Sequence, residues 1–341
     1  MPKRFRGGIL QAKLPDISRS TNFVVDGIYN TADQAQYAGT GNWVGYLQFQ
    51  QYKDPGTYSF LIPNGVNTIS VLAIGGGGAG DDGNTGDGGG GGGAGGACAV
   101  ASNVAVTSGN TITVVVGAGG TSGQGKGVRA QSGGNTTVTI NTFIMNAVGG
   151  QGGAAYTASP GATGANAVFT SVPAGVVTAG YIGGDGGAAF DGGGGGGGAA
   201  GAAGDGGDGS SANPASSIST NAPSNSYAGG GGGARSSAGL GSFLGGSNGG
   251  TGQSNITGGG GGGAYTFTFL TDSVNTAGGN GNGLTTSGSR GGDGGFPGGG
   301  GGGSFDGNVG VASSGGNGFV RIVWGSNVAG IRRFPDNALD T

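Results

Sequence analysis

Apolar and polar residues alternate along this chain in short stretches that stop and restart, the period of half-buried β-strands. Between residues 58 and 74, Tyr58, Phe60 and Ile62 alternate with other residues, Asn64-Gly65 marks a turn, and Ile69, Val71 and Ala73 resume the pattern. This predicts two strands joined as a hairpin. Further strands are predicted over 97–106, 111–116, 135–148 and 319–324, with turn signals at Ser108-Gly109-Asn110 and Gly117–Gly120. Short strands at such spacing predict a mainly β fold with little α-helix, a jelly-roll-like β-sandwich. The last strand is far from the others in sequence, so what lies between is an insertion into the sandwich. Within that strand Arg321 shares a face with Phe319 and Val323, opposite Val320, Ile322 and Trp324, a position suited to a sheet or subunit boundary. Residues Thr31–Ala38 read as a short helix capped by Thr31 and stopped at Gly39, or as a turn.

Glycine changes this picture. It makes up 96 of 341 residues, and all but ten lie between 75 and 318. Solid runs fall at Gly75–Gly78, Gly88–Gly93, Gly192–Gly198, Gly229–Gly233, Gly258–Gly263 and Gly298–Gly303, and the unit Gly-Gly-Asp-Gly-Gly occurs at 183–187 and 291–295. There is no collagen-type period and too little proline for one. Glycine loses much backbone entropy on folding, so six ordered runs are tolerable only if their backbones pair. A polyglycine-II helix turns every three residues, rises about 3.1 Å per residue and points its N–H and C=O groups outward. Side by side, such helices bond laterally provided no Cβ intervenes. The runs are therefore expected to form a bundle of polyglycine-II helices inserted in the sandwich; the competing reading is flexible linker. The expected division is an arm over 1–45, sandwich strands with the first glycine runs over 46–150, a glycine-rich bundle over 151–304, and a closing strand and tail over 305–341.

Composition also limits the chemistry. Histidine and glutamate are absent, and Cys98 is the one cysteine. This excludes a Ser-His-Asp or Cys-His engine, an internal disulfide and a thiolate zinc cluster. A net charge of −3 gives no basic face for nucleic acid. No apolar stretch is long enough to span a membrane, and none follows the basic start Met1–Arg6 as a secretory leader would require. The runs match phosphate-loop patterns trivially but lack the Gly-Lys-Ser/Thr ending. Asp185, Asp205, Asp208 and Asp293 each precede glycine, which suits tight turns; the spacing of calcium-binding nonapeptides is missing. No catalytic residue, cofactor or metal site is expected.

Residues Asp26–Trp43, after the start Arg6-Gly7-Gly8-Ile9-Leu10, resemble the N-terminal signature of virion structural proteins of marine and cyanobacterial tailed phages, with Tyr29 and Val44 where that signature has Trp and Pro. Residues Gly315–Gly325, followed by Arg333-Phe334-Pro335, are similar to the end of many such fibre proteins. In the centre, Gly56–Val66, Val71–Gly78 and Ile112–Gly120 resemble the phage glycine-rich domain and the glycine-rich extracellular domain of anaplastic lymphoma kinase. The resemblance implies a non-enzymatic phage virion protein, assembled in the host cytoplasm and released by lysis.

Two functions follow as expectations. One is a trimeric tail fibre or receptor-binding appendage. Its host contacts, to a surface saccharide or outer-membrane protein, come from the inserts 154–182, 210–228, 235–257 and 265–290, with Tyr156, Phe169, Tyr181, Tyr227 and Phe243 as candidates. For Phe267 and Phe269, which alternate with Tyr265, packing is expected instead. The other function is a capsid decoration, head fibre or other structural component without receptor binding. In both, residues 1–45 dock onto other virion proteins through Arg4, Arg6, Ile9, Leu10, Leu14, Ile17, Phe23 and Trp43.

Overall fold

In the computed structural model of the chain, the described residues are 48–83, 88–121, 129–154, 161–189, 192–212, 221–222, 228–233, 247–251, 259–264, 278, 282–285, 288–304 and 313–324. They contain twelve strands and no α-helix. The strands are β1 (Gln48–Tyr52), β2 (Gly56–Leu61), β3 (Thr68–Ile74), β4 (Cys98–Ala105), β5 (Thr111–Val116), β6 (Thr136–Ile140), β7 (Phe143–Ala147), β8 (Ala167–Thr170), β9 (Val177–Tyr181), β10 (Asn282–Thr285), β11 (Gly288–Arg290) and β12 (Phe319–Trp324). Two five-stranded antiparallel sheets result, in the orders β1-β12-β3-β4-β9 and β2-β5-β6-β7-β8, while β10 and β11 pair separately.

Alternation sets what each face meets. Ile69, Val71 and Ala73 of β3, with Val320, Ile322 and Trp324 of β12, share one core with Phe60, Ile112, Val114, Val138 and Met145 of the second sheet. The intervening Leu72 and Ile74 face the other way and join Cys98, Val100 and Phe319 in a second cluster closed by Ala199, Ala200, Ala202 and Ala264 of the glycine-rich sequence. The inner strands β3 and β12 of the first sheet are thus buried on both faces. Arg321 lies on that second face, 1% exposed, its guanidinium 4.5 Å from the Phe49 ring centroid. The ring face meets the guanidinium in a cation–π contact.

β5 and β12 have the bounds expected from alternation, and β12 closes the first sheet across the long insertion. The hairpin expected around Asn64-Gly65 does not form. The turn exists, with Val66 N–H donating to Pro63 O at 3.2 Å and Gly65 at φ 81°, but β2 pairs with β5 and β3 with β4 and β12. The chain changes sheets there, because the apolar faces of β2 and β3 meet across the core rather than side by side. The single strand expected over 135–148 is a true hairpin, β6 and β7, turning at Asn141 with φ 54°. β8 and β9 lie within the glycine-rich region expected over 151–304, yet each adds an edge strand to a sheet. The helix or turn at 31–38 and the arm lie outside the described residues.

The glycine segments bond in a repeating way. Along 194–200, Gly194, Gly197 and Ala200 N–H donate to Gly90, Gly93 and Gly96; Gly195 and Gly198 donate to Ser210 and Gly207; Gly196 and Ala199 donate to Gly259 and Gly262, all at 2.8–3.0 Å. Their carbonyls accept at 2.7–2.9 Å from Gly303 and Gly300, from Gly187 and Gly184, and from Gly232 and Gly229. Every third residue thus meets the same neighbour, and this segment is ringed by six others. Segment 75–81 repeats the pattern, donating in steps of three to 97/94/91, 134/131 and 316/313.

The same spacing leaves no room for side chains. A Cβ on Gly196 would overlap Gly300 O, and one on Gly197 would overlap Gly184 O. On 89–97 the crowding is uneven. Gly90, Gly93 and Gly96 would strike Asp81, Gly78 and Gly75 carbonyls, whereas a Cβ on Gly91 would stop 3.0 Å from Ala154 O. Ala94 and Ala97 occupy that looser row, three and six residues on from Gly91. The Gly197→Ala variant is expected to lose on the order of 3 kcal/mol or to fail to fold. At Gly109 a Cβ meets nothing within 4 Å and only the φ of +82° is unfavourable, so Gly109→Ala should cost roughly 1–2 kcal/mol. Urea unfolding of the two variants checks the difference.

Candidate functional site

The strands give the glycine block a direction. β3 runs straight into Gly75, segment 88–97 returns into β4, and segment 313–318 returns into β12. Near the sheets the block is closed by tight connections. These are the 200–204 turn, where Gly201 and Gly204 bridge, and Phe296–Gly298, whose Phe296 ring meets Phe319 edge-on at 6.2 Å. At the far end, Asp81 N–H reaches Gly91 O, Ser304 N–H reaches Asp81 O, Gly91 N–H reaches Ala154 O, Ala212 N–H reaches Ala188 O and Gly233 N–H reaches Gly250 O. These pairs put Gly83, Ala154, Ala189, Ala212, Gly233, Thr251 and Ser304 at that one end, each the last described residue before a connecting stretch, whereas Ala264, which precedes 265–277, lies beneath the first sheet. The opposite pole holds Gln48 beside Trp324, which in turn pairs with Ile69, the residues of β3 and β12 farthest from the block. The sequences 1–47 and 325–341 therefore join the body at neighbouring residues, opposite the end that those seven residues mark.

At the lateral edges of the block, where no further glycine segment follows, side chains replace the missing carbonyls. Ile182 N–H donates to Asp205 Oδ1 at 2.7 Å, Asp185 N–H to Asp208 Oδ1 at 2.8 Å and Ala188 N–H to Ser211 Oγ at 3.3 Å, a ladder in steps of three on both segments. Asp185 in turn accepts from Gly164 N–H at 2.6 Å. Along another edge, Gly149 and Gly152 N–H donate to Asn135 Oδ1 and Ser132 Oγ. Asp293 accepts from Ser314 N–H at 2.8 Å and pairs with Arg290, three residues back at the end of β11. The Asp-Gly pairs expected in turns are thus edge caps, because a threefold repeat brings their carboxylates to the row of otherwise unbonded N–H groups. Burial raises the Asp208 carboxyl above its ordinary range, and the Asp185 and Asp205 charges add to this.

A different pair of acids lies inside the far end. Asp81 and Asp82 are 1% and 5% exposed. Gly83 N–H donates to Asp81 Oδ1 at 2.9 Å, while Asp81 Oδ2 is buried without a hydrogen-bond partner. Burial pushes the Asp81 carboxyl up to about 6, and Asp82 raises it further, against the lowering effects of the Gly83 and Ala130 N–H groups and of Arg129. No group of three or more His, Cys, Asp or Glu among the described residues is arranged to hold a metal. Cys98 is fully buried, and burial pushes its thiol well above the usual range.

Of the contact residues expected from sequence, Phe169 lies on β8, half-buried against the shared core, and Tyr181 ends β9, half-buried against the second cluster with its phenol pushed up by burial. Both sit in strands rather than in a loop between glycine runs, and the structure does not bring them together with the far end. Tyr156, Tyr227 and Phe243 lie outside the described residues, as do Phe267 and Phe269 and the arm residues Arg4, Arg6, Ile9, Leu10, Leu14, Ile17, Phe23 and Trp43. The edge ladder was missed by sequence reasoning, although the spacing of Asp205, Asp208 and Ser211 carries it. No linear signal marks Asp81 as buried.

Residues 53–286 match the family model described as a glycine-rich domain. The chain belongs to this family. The glycine-rich domain match takes in β2 through β10 and ends before β12, so the strand that closes the first sheet is outside it. No curated protein matches the chain.

The edge caps predict that Asp208→Ala, which leaves the Asp185 N–H without its carboxylate, costs about 1 kcal/mol. Asp208→Asn, which keeps an acceptor oxygen, should cost less, and urea titration of both checks it. For Asp81 the folded-state carboxyl is raised, so the folded protein holds its proton more tightly than the unfolded chain does. Its contribution therefore favours folding at about pH 4 and declines as pH rises toward 6. In EDTA-containing buffer, Asp81→Asn is expected to flatten that part of the stability–pH curve, measured by thermal unfolding.

Proposed function

We propose that this chain is a non-enzymatic structural protein of a phage virion, a trimeric tail fibre or receptor-binding appendage. In this reading the two sheets form a β-sandwich, and the glycine segments form a bundle of polyglycine-II helices growing from it. The threefold hydrogen-bond repeat around 194–200 supports the bundle, since three residues per turn is the period of that helix. The observation that carries the function is the molecule's polarity. Sequences 1–47 and 325–341 enter and leave beside one another at Gln48 and Trp324, while the connections 84–87, 155–160, 190–191, 252–258 and 305–312 leave from the far end of the block. A body with both chain ends at one pole and a cluster of connections at the other suits an appendage that docks onto a particle and meets a surface at its tip. The docking contacts are those of the arm, and the candidate host contacts among the connections are Tyr156, Tyr227 and Phe243.

Immunogold electron microscopy of intact particles tests this. Label at tail tips is expected; label over the capsid, or none, would overturn the appendage reading. Deleting 1–45 should leave a folded protein that is missing from particles. A Tyr156→Ala/Phe243→Ala double variant should assemble normally and adsorb about tenfold more slowly.

A further inference from the structure

We propose that Asp81 and Asp82 form a binding site for a hard divalent cation, of the calcium or magnesium class, at the far end of segment 75–83. The two carboxylates are adjacent in a part of the protein built almost wholly of backbone, and both are more than nine-tenths buried. An ionised carboxylate withdrawn from water is costly unless it is paired or bound to a metal. Asp81 has neither form of compensation at Oδ2. One oxygen takes the Gly83 N–H, and the other has no hydrogen-bond partner, the nearby Ala130 N–H being given to Gly153 O at 3.1 Å. Arg129, the cation that acts on Asp81 through space, is exposed and gives its Nη1 to Gly152 O at 2.9 Å, so it does not cover Oδ2.

Oxygen donors alone select hard cations over zinc or copper. Two carboxylates supply the charge. The rest of the shell comes from water and from main-chain oxygens close to Gly83, where an added Cβ would lie 2.7 Å from Gly88 O and 3.0 Å from Ser304 O. Those contacts place two carbonyl-bearing stretches against the acidic turn. The site is distinct from the exposed ladder of Asp185, Asp205 and Asp208, whose Oδ1 atoms are committed to backbone N–H groups. A bound cation would tie segment 75–83 to the neighbours that end at the same level, and so fix the far end of the block.

The test is isothermal titration calorimetry of the full chain, stripped with EDTA, with calcium and separately with magnesium at about pH 7.5. One equivalent is expected to bind with a dissociation constant of about 1 mM or below, accompanied by a rise in thermal midpoint. Asp81→Asn keeps an acceptor for Gly83 and removes the charge, so it should fold and lose the binding at least tenfold. Asp205→Asn should bind as the wild type does. No heat and no midpoint shift with either ion up to about 10 mM would overturn the proposal, and so would binding that survives Asp81→Asn. If Asp81→Asn proves unfolded, Asp82→Asn is measured instead, with the same loss expected and the same reversal if binding persists.

Discussion

The structure depends on hydrogen bonds made sideways between main chains that carry no Cβ. In a strand, N–H and C=O groups point to two flanks, so a sheet grows in one direction only. In the glycine block they point to several flanks in turn, and segment 194–200 bonds to six neighbours. Such a lattice grows in two directions and has an interior made of peptide groups. Its cohesion is polar, and the hydrophobic effect contributes where the block ends, at the alanines packed beneath the first sheet. Glycine is required because the neighbouring carbonyls stand where a Cβ would be.

The sheets and the block support one another. The first sheet is covered on one face by the second sheet and on the other by Ala199, Ala200 and Ala264. β3, β4 and β12, the three inner strands of that sheet, pass directly into glycine segments. The sheet thereby sets the starting spacing and direction of three segments, which reduces the entropy that glycine would otherwise lose on ordering. The edges obey the rule that buried polar groups are bonded. Where the lattice runs out of carbonyls, Asp, Asn and Ser side chains supply oxygens at the same threefold interval.

The strands were readable where alternation is strong, as in Thr111–Val116 and Phe319–Trp324. Alternation identifies a strand but says nothing about which sheet it joins, so Asn64-Gly65 was misjudged as a hairpin when it is a corner. β8 and β9 were missed because Ala167–Thr170 and Val177–Tyr181 are short and carry small residues among glycine-rich flanks. The order of neighbours within the block was not readable at all. A glycine run has no side-chain pattern, and any run can face any other. What could have been read is the boundary of the block, since Asp205, Asp208 and Ser211 recur every three residues. The burial of Asp81 and Asp82 was hidden for the opposite reason, because adjacent acids in a glycine-rich stretch look like a solvated turn. Of the candidate site, then, the sequence marks the ends and edges, while its depth appears only in three dimensions.

The neighbouring positions of Gln48 and Trp324 have a mechanical consequence. A load applied through the two chain ends would reach the same corner of the first sheet, where the strands continue the line of the glycine segments. A force between that corner and the far end runs along strands and segments together. It loads the lateral hydrogen bonds in shear, many at once, rather than peeling them one by one. A material held by weak bonds in parallel resists stretching along its axis well while separating readily across it. Under such a load the fold would behave as a tension member.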